Sequence, residues 1–432
     1  MREGRSTGGG RMAGKTVEAK KMPALKLRER YRELRTKLME ILEERGDAED
    51  GEIRDMIDTL VLESSREEYL PIADRVRLSR ELFFSVRRLD ILQDLIDDKA
   101  VTEIMVNGPD CIFIEQNGRI RRWEKTFASR EKLEDVIQQI VGKCNRVVNE
   151  QNPIVDARLA DGSRVNAVVA PIALEGPILT IRQFPERPIT MERLIETGSI
   201  TEEAADDLRV LVAAGYSMII GGGTSAGKTT FLNAMSNYIP KEERIITIED
   251  NAELQIQGIQ NLVRLEAKNA NIEGNREITI RDLIKSALRM RPDRIIVGEV
   301  RSGEAVDMLQ AMNTGHDGSM STIHANSCED MLSRLETMVL MAFPLPLPAI
   351  RRQIASGVDI LVHLGRLKDR SRRVLDIAEV DGAVGEDIRI HSLYRWNDRT
   401  EKLEKTGELN HILKLERSGL FLRTGAASSG EV

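Results

Sequence analysis

The sequence predicts an α/β protein: a mostly parallel sheet with helices on both faces, preceded by a smaller α+β domain and an N-terminal helical region. Three observations predict it. From about residue 190 to Leu367, short apolar runs alternate with helical stretches, as in a parallel sheet covered on both sides. One of those runs, Tyr216–Ile220, feeds a glycine-rich loop that opens directly into a helix, Thr230–Met235. Before Pro185, segments alternate at period two and turn at Asn107-Gly108 and Asn117-Gly118, the mark of hairpins. At 432 residues the chain is also too long for one ordinary core.

The elements follow in order. Residues 1–22 are rich in Gly, Lys and Arg and are expected to be disordered; they lack the apolar core of a secretory signal. Residues 23–95 form the helical region. In "LKLRERYRELRTKLMEIL", Leu27, Tyr31, Leu34, Leu38 and Ile41 recur at three- and four-residue spacing and build one apolar stripe. Ala48–Glu52 breaks the pattern, and helix then runs on to about Lys99. Residues 96–186 form the α+β domain: hairpins, the helix "KLEDVIQQIVGKC", and the strands "DARLADGSRVNAVVA", bent at Asp161-Gly162, and "GPILTIRQF". Two prolines in "PERPIT" mark a linker, and residues 187–432 form the larger domain. Within it, "EAVDMLQAMNTG" reads as a helix closed by Gly315, "SMSTIHA" as a strand ending at His324, and the tail "RRVLDIAEVDGAVGEDIRIHSLYRW" as short strands.

Composition narrows the function classes. Apolar content of 41% and charged content of 31% suit a soluble globular protein. Aromatics at 3%, a net charge of -7 and a pI near 5.6 speak against a nucleic-acid binder. Cys111, Cys144 and Cys328 are scattered, without a C-x-x-C pair, which suits a reducing cytosol and neither a disulfide framework nor a structural zinc site. No run reaches the roughly 18 apolar residues of a membrane span, so any membrane role is peripheral.

The sharpest motif is "GGTSAGKT", Gly222–Thr229, a full match to G-x-x-x-x-G-K-[ST] in strand-to-helix context. Gly222, Gly223, Thr224, Ser225, Ala226 and Gly227 turn backbone N–H groups around phosphate oxygens, with Thr230 in the first turn of the helix that follows. Lys228 is expected to neutralise the β- and γ-phosphates, and the Thr229 hydroxyl to ligate Mg²⁺. Carboxylates follow at strand ends: Glu249 and Asp250 after "RIITI", and Glu299 after "RIIVG". Glu299 is the expected water-orienting base. The Asp expected just before it is Gly298, which leaves the Mg²⁺-side carboxylate unfilled or supplied by Glu249 or Asp250. Arg158, Arg164 and Arg182 in the α+β domain are candidate phosphate clamps. His316 and His324 lie in "TGHDGSMSTIHANS". Metal ligation is disfavoured by their eight-residue spacing. A structural pair and a γ-phosphate sensor and coupler remain, and the sensor reading is preferred because His324 ends a strand beside the phosphates.

Taken in order, "VTEIMVNGPD", "DARLADGSRVNAVVAP", "GGTSAGKTTFLNA", "TIEDNAELQI", "EITIRDLIKSALRMRPDRIIVGEVRSGEA" and "LQAMNTGHDGSMSTIHANS" resemble the secretion ATPases of the type II/type IV superfamily. Within it the chain is most similar to the CpaF-like ATPases of tight-adherence (Flp) pilus systems, over roughly Leu82–Arg373. The resemblance implies a RecA-like P-loop NTPase domain using ATP and Mg²⁺. It implies that Gly222–Thr229 match the Walker A box, Glu249, Asp250 and Glu253 the Asp box, Glu299 the Walker B glutamate with Gly298 normal before it, and His316 and His324 the His box. Arg158, Arg164 and Arg182 match arginines that reach nucleotide phosphates. It further implies a homo-hexamer that is cytoplasmic, peripheral to the inner membrane, engages a polytopic inner-membrane platform protein and drives pilin assembly or retraction. The four-cysteine zinc module of many relatives is absent. Two rival readings are a RecA-like helicase or DNA translocase and a nucleotide-gated scaffold that needs no turnover.

Overall fold

The computed structural model describes residues 24–422 apart from 46–47, 88, 117, 145, 160, 185–187, 269–276 and 386. The expectation for residues 1–22 lies outside the described residues. The chain divides into two units, one up to Pro185 and one from Glu186.

The first unit opens with α1 (Ala24–Arg45), α2 (Asp50–Glu67), α3 (Ile72–Arg87) and α4 (Leu92–Asp97). The stripe read from the sequence is real packing. Leu34 and Leu38 meet Ile53 and Ile57 of α2 and Leu78 and Leu82 of α3 in one buried cluster. Each such side chain contributes about 1.5–3 kcal/mol by leaving water. The break at Ala48–Glu52 is the start of α2, where Glu49 and Glu52 form a capping box.

Then come β1 (Val101–Asn107), β2 (Ile112–Gln116), β3 (Arg119–Arg122), α5 (Arg130–Lys143), β4 (Ile154–Arg158), β5 (Arg164–Val168) and β6 (Ile178–Arg182). They make an antiparallel sheet in the order β3-β2-β1-β6-β5-β4. Val165, Ala167, Leu179 and Ile181 face the cluster that includes Val136, Ile137 and Ile140 of α5. One expectation needs correcting. The "bent strand" is a hairpin: Gly162, at φ +93°, takes the left-handed turn a side chain resists, so β4 and β5 pair with each other.

The second unit contains α6 (Met191–Glu196), α7 (Glu202–Ala213), β7 (Met218–Gly222), α8 (Lys228–Ser236), β8 (Arg244–Glu249), β9 (Asn261–Glu266), α9 (Ile280–Ala287), β10 (Arg294–Val297), α10 (Glu304–Asn313), β11 (Met320–Ile323), α11 (Cys328–Ala342) and α12 (Leu347–Gly357). It ends with β12 (Ile360–Arg366), β13 (Arg372–Val384), β14 (Asp387–Asn397), β15 (Lys402–Lys405) and α13 (Leu413–Ser418). Its sheet runs β15-β14-β13-β12-β7-β11-β10-β8-β9. The stretch from β12 to β9 is parallel, and β13 to β15 extend it antiparallel.

Both faces of the parallel part are buried, as its continuous apolar runs require. Met218, Ile220, Ile245 and Ile296 face α7 and α8, while Ile219, Ile246, Ile295 and Val297 face α9 to α12. The tail departs from expectation. Its strands are long, because β13 and β14 pair along most of their length and are held to the parallel sheet through β12.

Candidate functional site

The sheet order brings the sequence motifs together. β7, β11, β10 and β8 are parallel neighbours, so their C-terminal ends form one continuous edge. That edge carries the glycine-rich loop, His324, Glu299 and Glu249 in turn. Of the neighbours along this edge only β10 and β11 are successive strands in the chain, and the edge is where ligands bind in sheets of this kind.

The loop after β7 is built for an anion. Ser225 at φ +59° and Gly227 at φ +95° are both left-handed, which curls the backbone before α8 begins at Lys228. Gly222 is demanded by a close approach: a Cβ there would lie 2.6 Å from the Leu364 carbonyl oxygen of β12. Gly223 faces open space, leaving its backbone accessible. Lys228 is 8% exposed. Among the described residues its polar contacts are long: 3.4 Å to the Gly223 oxygen, and 3.3 and 3.4 Å to the two ring nitrogens of His324. Burial pulls its pKa down, Glu299 pulls it up and Arg301 pulls it down. A buried ammonium with only long contacts is poised to receive a negative charge.

His324 links that lysine to Glu299. Its Nε2 lies 2.8 Å from Glu299 Oε1, without hydrogen-bond alignment, so this buried carboxylate oxygen keeps an unused acceptor. Burial, then Lys228, hold the ring below its usual pKa against the pull of Glu299. The ring is therefore neutral near pH 7 and able to accept as well as donate. The other oxygen of Glu299 takes two bonds from Arg301, 2.9 Å from Nε and 2.7 Å from Nη2, and Arg301 Nη1 reaches Asp250 at 3.6 Å.

Glu249 is 3% exposed. Its Oε1 accepts the backbone N–H groups of Glu253 at 2.8 Å and Leu254 at 2.9 Å, which fixes the loop carrying Asp250 and Glu253. Its Oε2 is buried and has no partner among the described residues. The glycine in place of the expected Asp now has a physical reason: a Cβ on Gly298 would meet Glu249 Cγ at 2.9 Å. The Glu249 side chain already fills that volume.

Burial pushes the Glu249 carboxyl from 4.5 up to about 7, against the two backbone bonds that pull it down. A carboxyl raised on folding holds its proton better in the native state. Its contribution to stability is complete below the unfolded value and is lost as pH rises through about 7. A shift of this size corresponds to about 3 kcal/mol. Glu249→Gln keeps an acceptor for both N–H groups and is expected to lose less stability than wild type between pH 5 and pH 8. Urea unfolding of both proteins at the two pH values measures this, and an equal loss in the variant would refute it.

Arg158, Arg164 and Arg182 lie in the first unit. The strand registers put Arg158 opposite Arg164 and Arg164 opposite Arg182, so the three share one face as a row across β4, β5 and β6. Glu103 of β1 continues the row beside Arg182. Arg158 donates from Nε to the Gly162 oxygen at 3.2 Å and stacks near Phe184. Like charges set opposite one another cost stability, and the Glu103 carboxylate beside Arg182 offsets part of that cost.

The structure separates the two histidines. His324 follows β11 and joins the cluster, whereas His316 precedes β11 at its far end, with the strand of roughly 10 Å between them. His316 Nδ1 lies 3.1 Å from the Ala311 oxygen, at the C-terminal end of α10. Two site residues escape sequence reasoning. Arg301 stands two residues beyond Glu299, a spacing that returns a side chain to the same face of an extended chain, which is a weak signal. Arg372 of β13 donates from Nε to the Ser225 oxygen at 2.9 Å and so braces the glycine-rich loop. Nothing local in the sequence announces that contact.

Known proteins resemble this chain over most of its length. The family model described as "Type II/IV secretion system protein" matches residues 86–407. The conjugal transfer protein TrbB of Rhizobium radiobacter is 33% identical over 312 residues, covering 71% of this chain and 91% of that protein. The type IV secretion system protein PtlH of Bordetella pertussis is 34% identical over 321 residues, covering 68% and 94%. Among solved structures, the VirB11 ATPase of the Brucella suis type IV secretion system is 29% identical over 67% of this chain and 95% of its own, with a TM-score of 0.37. The pilus retraction motor PilT is 18% identical over 77% and 86%, with a TM-score of 0.49. At those TM-scores the fold rests on the strand order above and not on the likeness. On the extent of the family match and the identity to relatives covered almost end to end, the chain belongs to the type II/IV secretion system protein family.

Proposed function

We propose that this protein is a Mg²⁺-dependent ATPase, a homo-hexameric motor that drives assembly of a tight-adherence (Flp) type pilus from the cytoplasmic face of the inner membrane. The observation that carries the ATPase reading is the chain of contacts Lys228–His324–Glu299–Arg301–Asp250 across adjacent strand ends, beside a loop shaped for phosphate.

The residues fit nucleotide and metal. The left-handed residues Ser225 and Gly227 and the buried Lys228 suit a triphosphate, and Thr229, in the first turn of α8, suits Mg²⁺ together with the acids at the sheet edge. Mg²⁺, when bound, neutralises charge on the β- and γ-phosphates. The chain's own groups do the rest. Lys228 holds the phosphates, Glu299 Oε1 orients and deprotonates the attacking water, and Arg301 fixes Glu299 by its second oxygen. Neutral His324 senses the γ-phosphate between Lys228 and Glu299, and Glu249 positions the loop of Asp250 and Glu253. Arg158, Arg164 and Arg182 match the arginines that the family resemblance assigns to nucleotide phosphates. An arginine so placed is worth about 10³–10⁵ in rate. His316, on the loop after α10, couples that loop to a neighbouring subunit.

Among the described residues no helix is long and apolar enough to cross a membrane, so work on a membrane-embedded machine calls for a polytopic platform protein as partner, with pilin engaged through it. A second reading, export or conjugation through a type IV system, is favoured by the names of the relatives. Deleting the gene separates the two. Loss of surface pili, restored by the wild-type copy and accompanied by hexamers of the purified protein, supports the pilus motor. Normal piliation with lost transfer of DNA or protein supports the second reading.

A further inference from the structure

The C-terminal hairpin and the segment behind it gather two of the chain's five histidines with two carboxylates, away from the phosphate loop. Glu379 and Asp381 lie on β13, and His391 stands on β14 directly opposite Glu379. His411 comes from the segment between β15 and α13. Glu379 is only 1% exposed. Its Oε1 lies 2.8 Å from His411 Nδ1 and accepts the His411 backbone N–H at 2.7 Å. Its Oε2 accepts the Asn410 backbone N–H at 2.7 Å. Asp381 Oδ1 lies 2.8 Å from His391 Nδ1 and accepts from Asn410 Nδ2 at 2.9 Å. One ligand atom each of Glu379, Asp381 and His411 fall within 4.8 Å of one another.

We propose that Glu379, Asp381 and His411 bind a Zn²⁺ ion, with water completing the shell and His391 orienting Asp381. Ligands of a tetrahedral zinc site, about 2.0–2.2 Å from the metal, sit roughly 3.3–3.6 Å apart. Glu379 Oε1 and His411 Nδ1, 2.8 Å apart, would separate by about half an ångström to share an ion. His411 is free to make that shift, its side chain being 56% exposed. Two features favour zinc over Mg²⁺ or Ca²⁺: the imidazole donor, and the low ligand number. His391 is the outer partner such sites use, one ring nitrogen on Asp381 and the other 2.9 Å from the Glu408 oxygen.

The ion would tie down a segment that braces the parallel sheet. Tyr216, just before β7, donates its hydroxyl to the His411 oxygen at 2.6 Å. Three residues on, Lys414 bridges Asp359 at 2.7 Å and Asp317 at 2.9 Å, and Asp317 belongs to the loop between α10 and β11. Zinc at Glu379 would therefore stiffen the approach to β7 and that loop together.

The test uses the purified full-length protein, stripped with a chelator and titrated with ZnCl₂ by calorimetry, with MgCl₂ as the control. One Zn²⁺ per chain is expected, together with a Zn²⁺-dependent rise in unfolding temperature. A double variant, Asp381→Asn with His411→Ala, is expected to weaken binding at least 100-fold and to abolish the rise. Should the double variant fail to fold, His411→Ala alone gives the same reading, since that side chain is largely exposed. Absence of zinc binding, or binding unchanged in the variant, would overturn the site and leave a hydrogen-bonded ion cluster.

Discussion

Lys228→Ala is expected to bring ATP turnover below detection and to weaken nucleotide binding by about 10²–10⁴, the equivalent of the roughly 3–5 kcal/mol lost when one partner of a buried charge pair is removed. Among the described residues Lys228 has no close acceptor. It is buried, its nearest acceptors are at 3.3 Å or beyond, and burial is the largest influence on its pKa, pulling it down. In the nucleotide-free protein the ammonium is thus a cost to the fold; a phosphate would turn it into an asset. That predicts a second, independent signature: the nucleotide-free variant should melt no lower than wild type, whereas the stabilisation by ATP seen in wild type should vanish. Binding of a fluorescent ATP analogue, phosphate release and thermal unfolding measure all three. A variant that binds ATP normally would place the phosphates elsewhere.

Glu299→Gln is expected to bind ATP with near-wild-type affinity and to hydrolyse it about 10²–10⁴ times more slowly, the usual contribution of a positioned general base. Glutamine preserves the shape and still accepts from Arg301, but it cannot take a proton from water. The geometry assigns the two oxygens different work. Oε2 is held by Arg301 at 2.7–2.9 Å and sets the orientation, while Oε1 faces His324 at 2.8 Å and keeps an unused acceptor. Glu249 is the rival acid at the same edge, but both its oxygens are buried and one already holds the loop backbone. Single-turnover kinetics on the Gln variant separate binding from chemistry. Wild-type turnover by Glu299→Gln would remove Glu299 from the role of base.

Much of this site was legible because its parts are local. The phosphate loop declares itself within Gly222–Thr229, and Glu249, Glu299 and His324 each end an apolar run, so a parallel sheet must align them on one edge. What the sequence conceals is lateral order and long-range contact. Arg158, Arg164 and Arg182 are legible as three arginines, but their single row follows only from the β4–β5–β6 register, hidden behind a turn at Gly162 that resembles a bend. The separation of His316 from His324 was legible too, since the helix closed by Gly315 and the strand ending at His324 set them apart, as β11 does. Gly298 reads as a missing carboxylate until the bulk of Glu249 is seen against it. Arg372 on the loop, Lys414 on Asp317 and the His391–His411 cluster join residues far apart in the chain, and no periodicity reports such contacts.

The most direct measurement of the central claim is steady-state phosphate release by the purified wild-type protein supplied with ATP and Mg²⁺, repeated with Mg²⁺ chelated. Sustained turnover that stops on chelation, in protein that remains folded and nucleotide-bound, is the predicted result. A protein that binds ATP and Mg²⁺ at the loop yet releases no phosphate would contradict the motor and leave the nucleotide-gated scaffold.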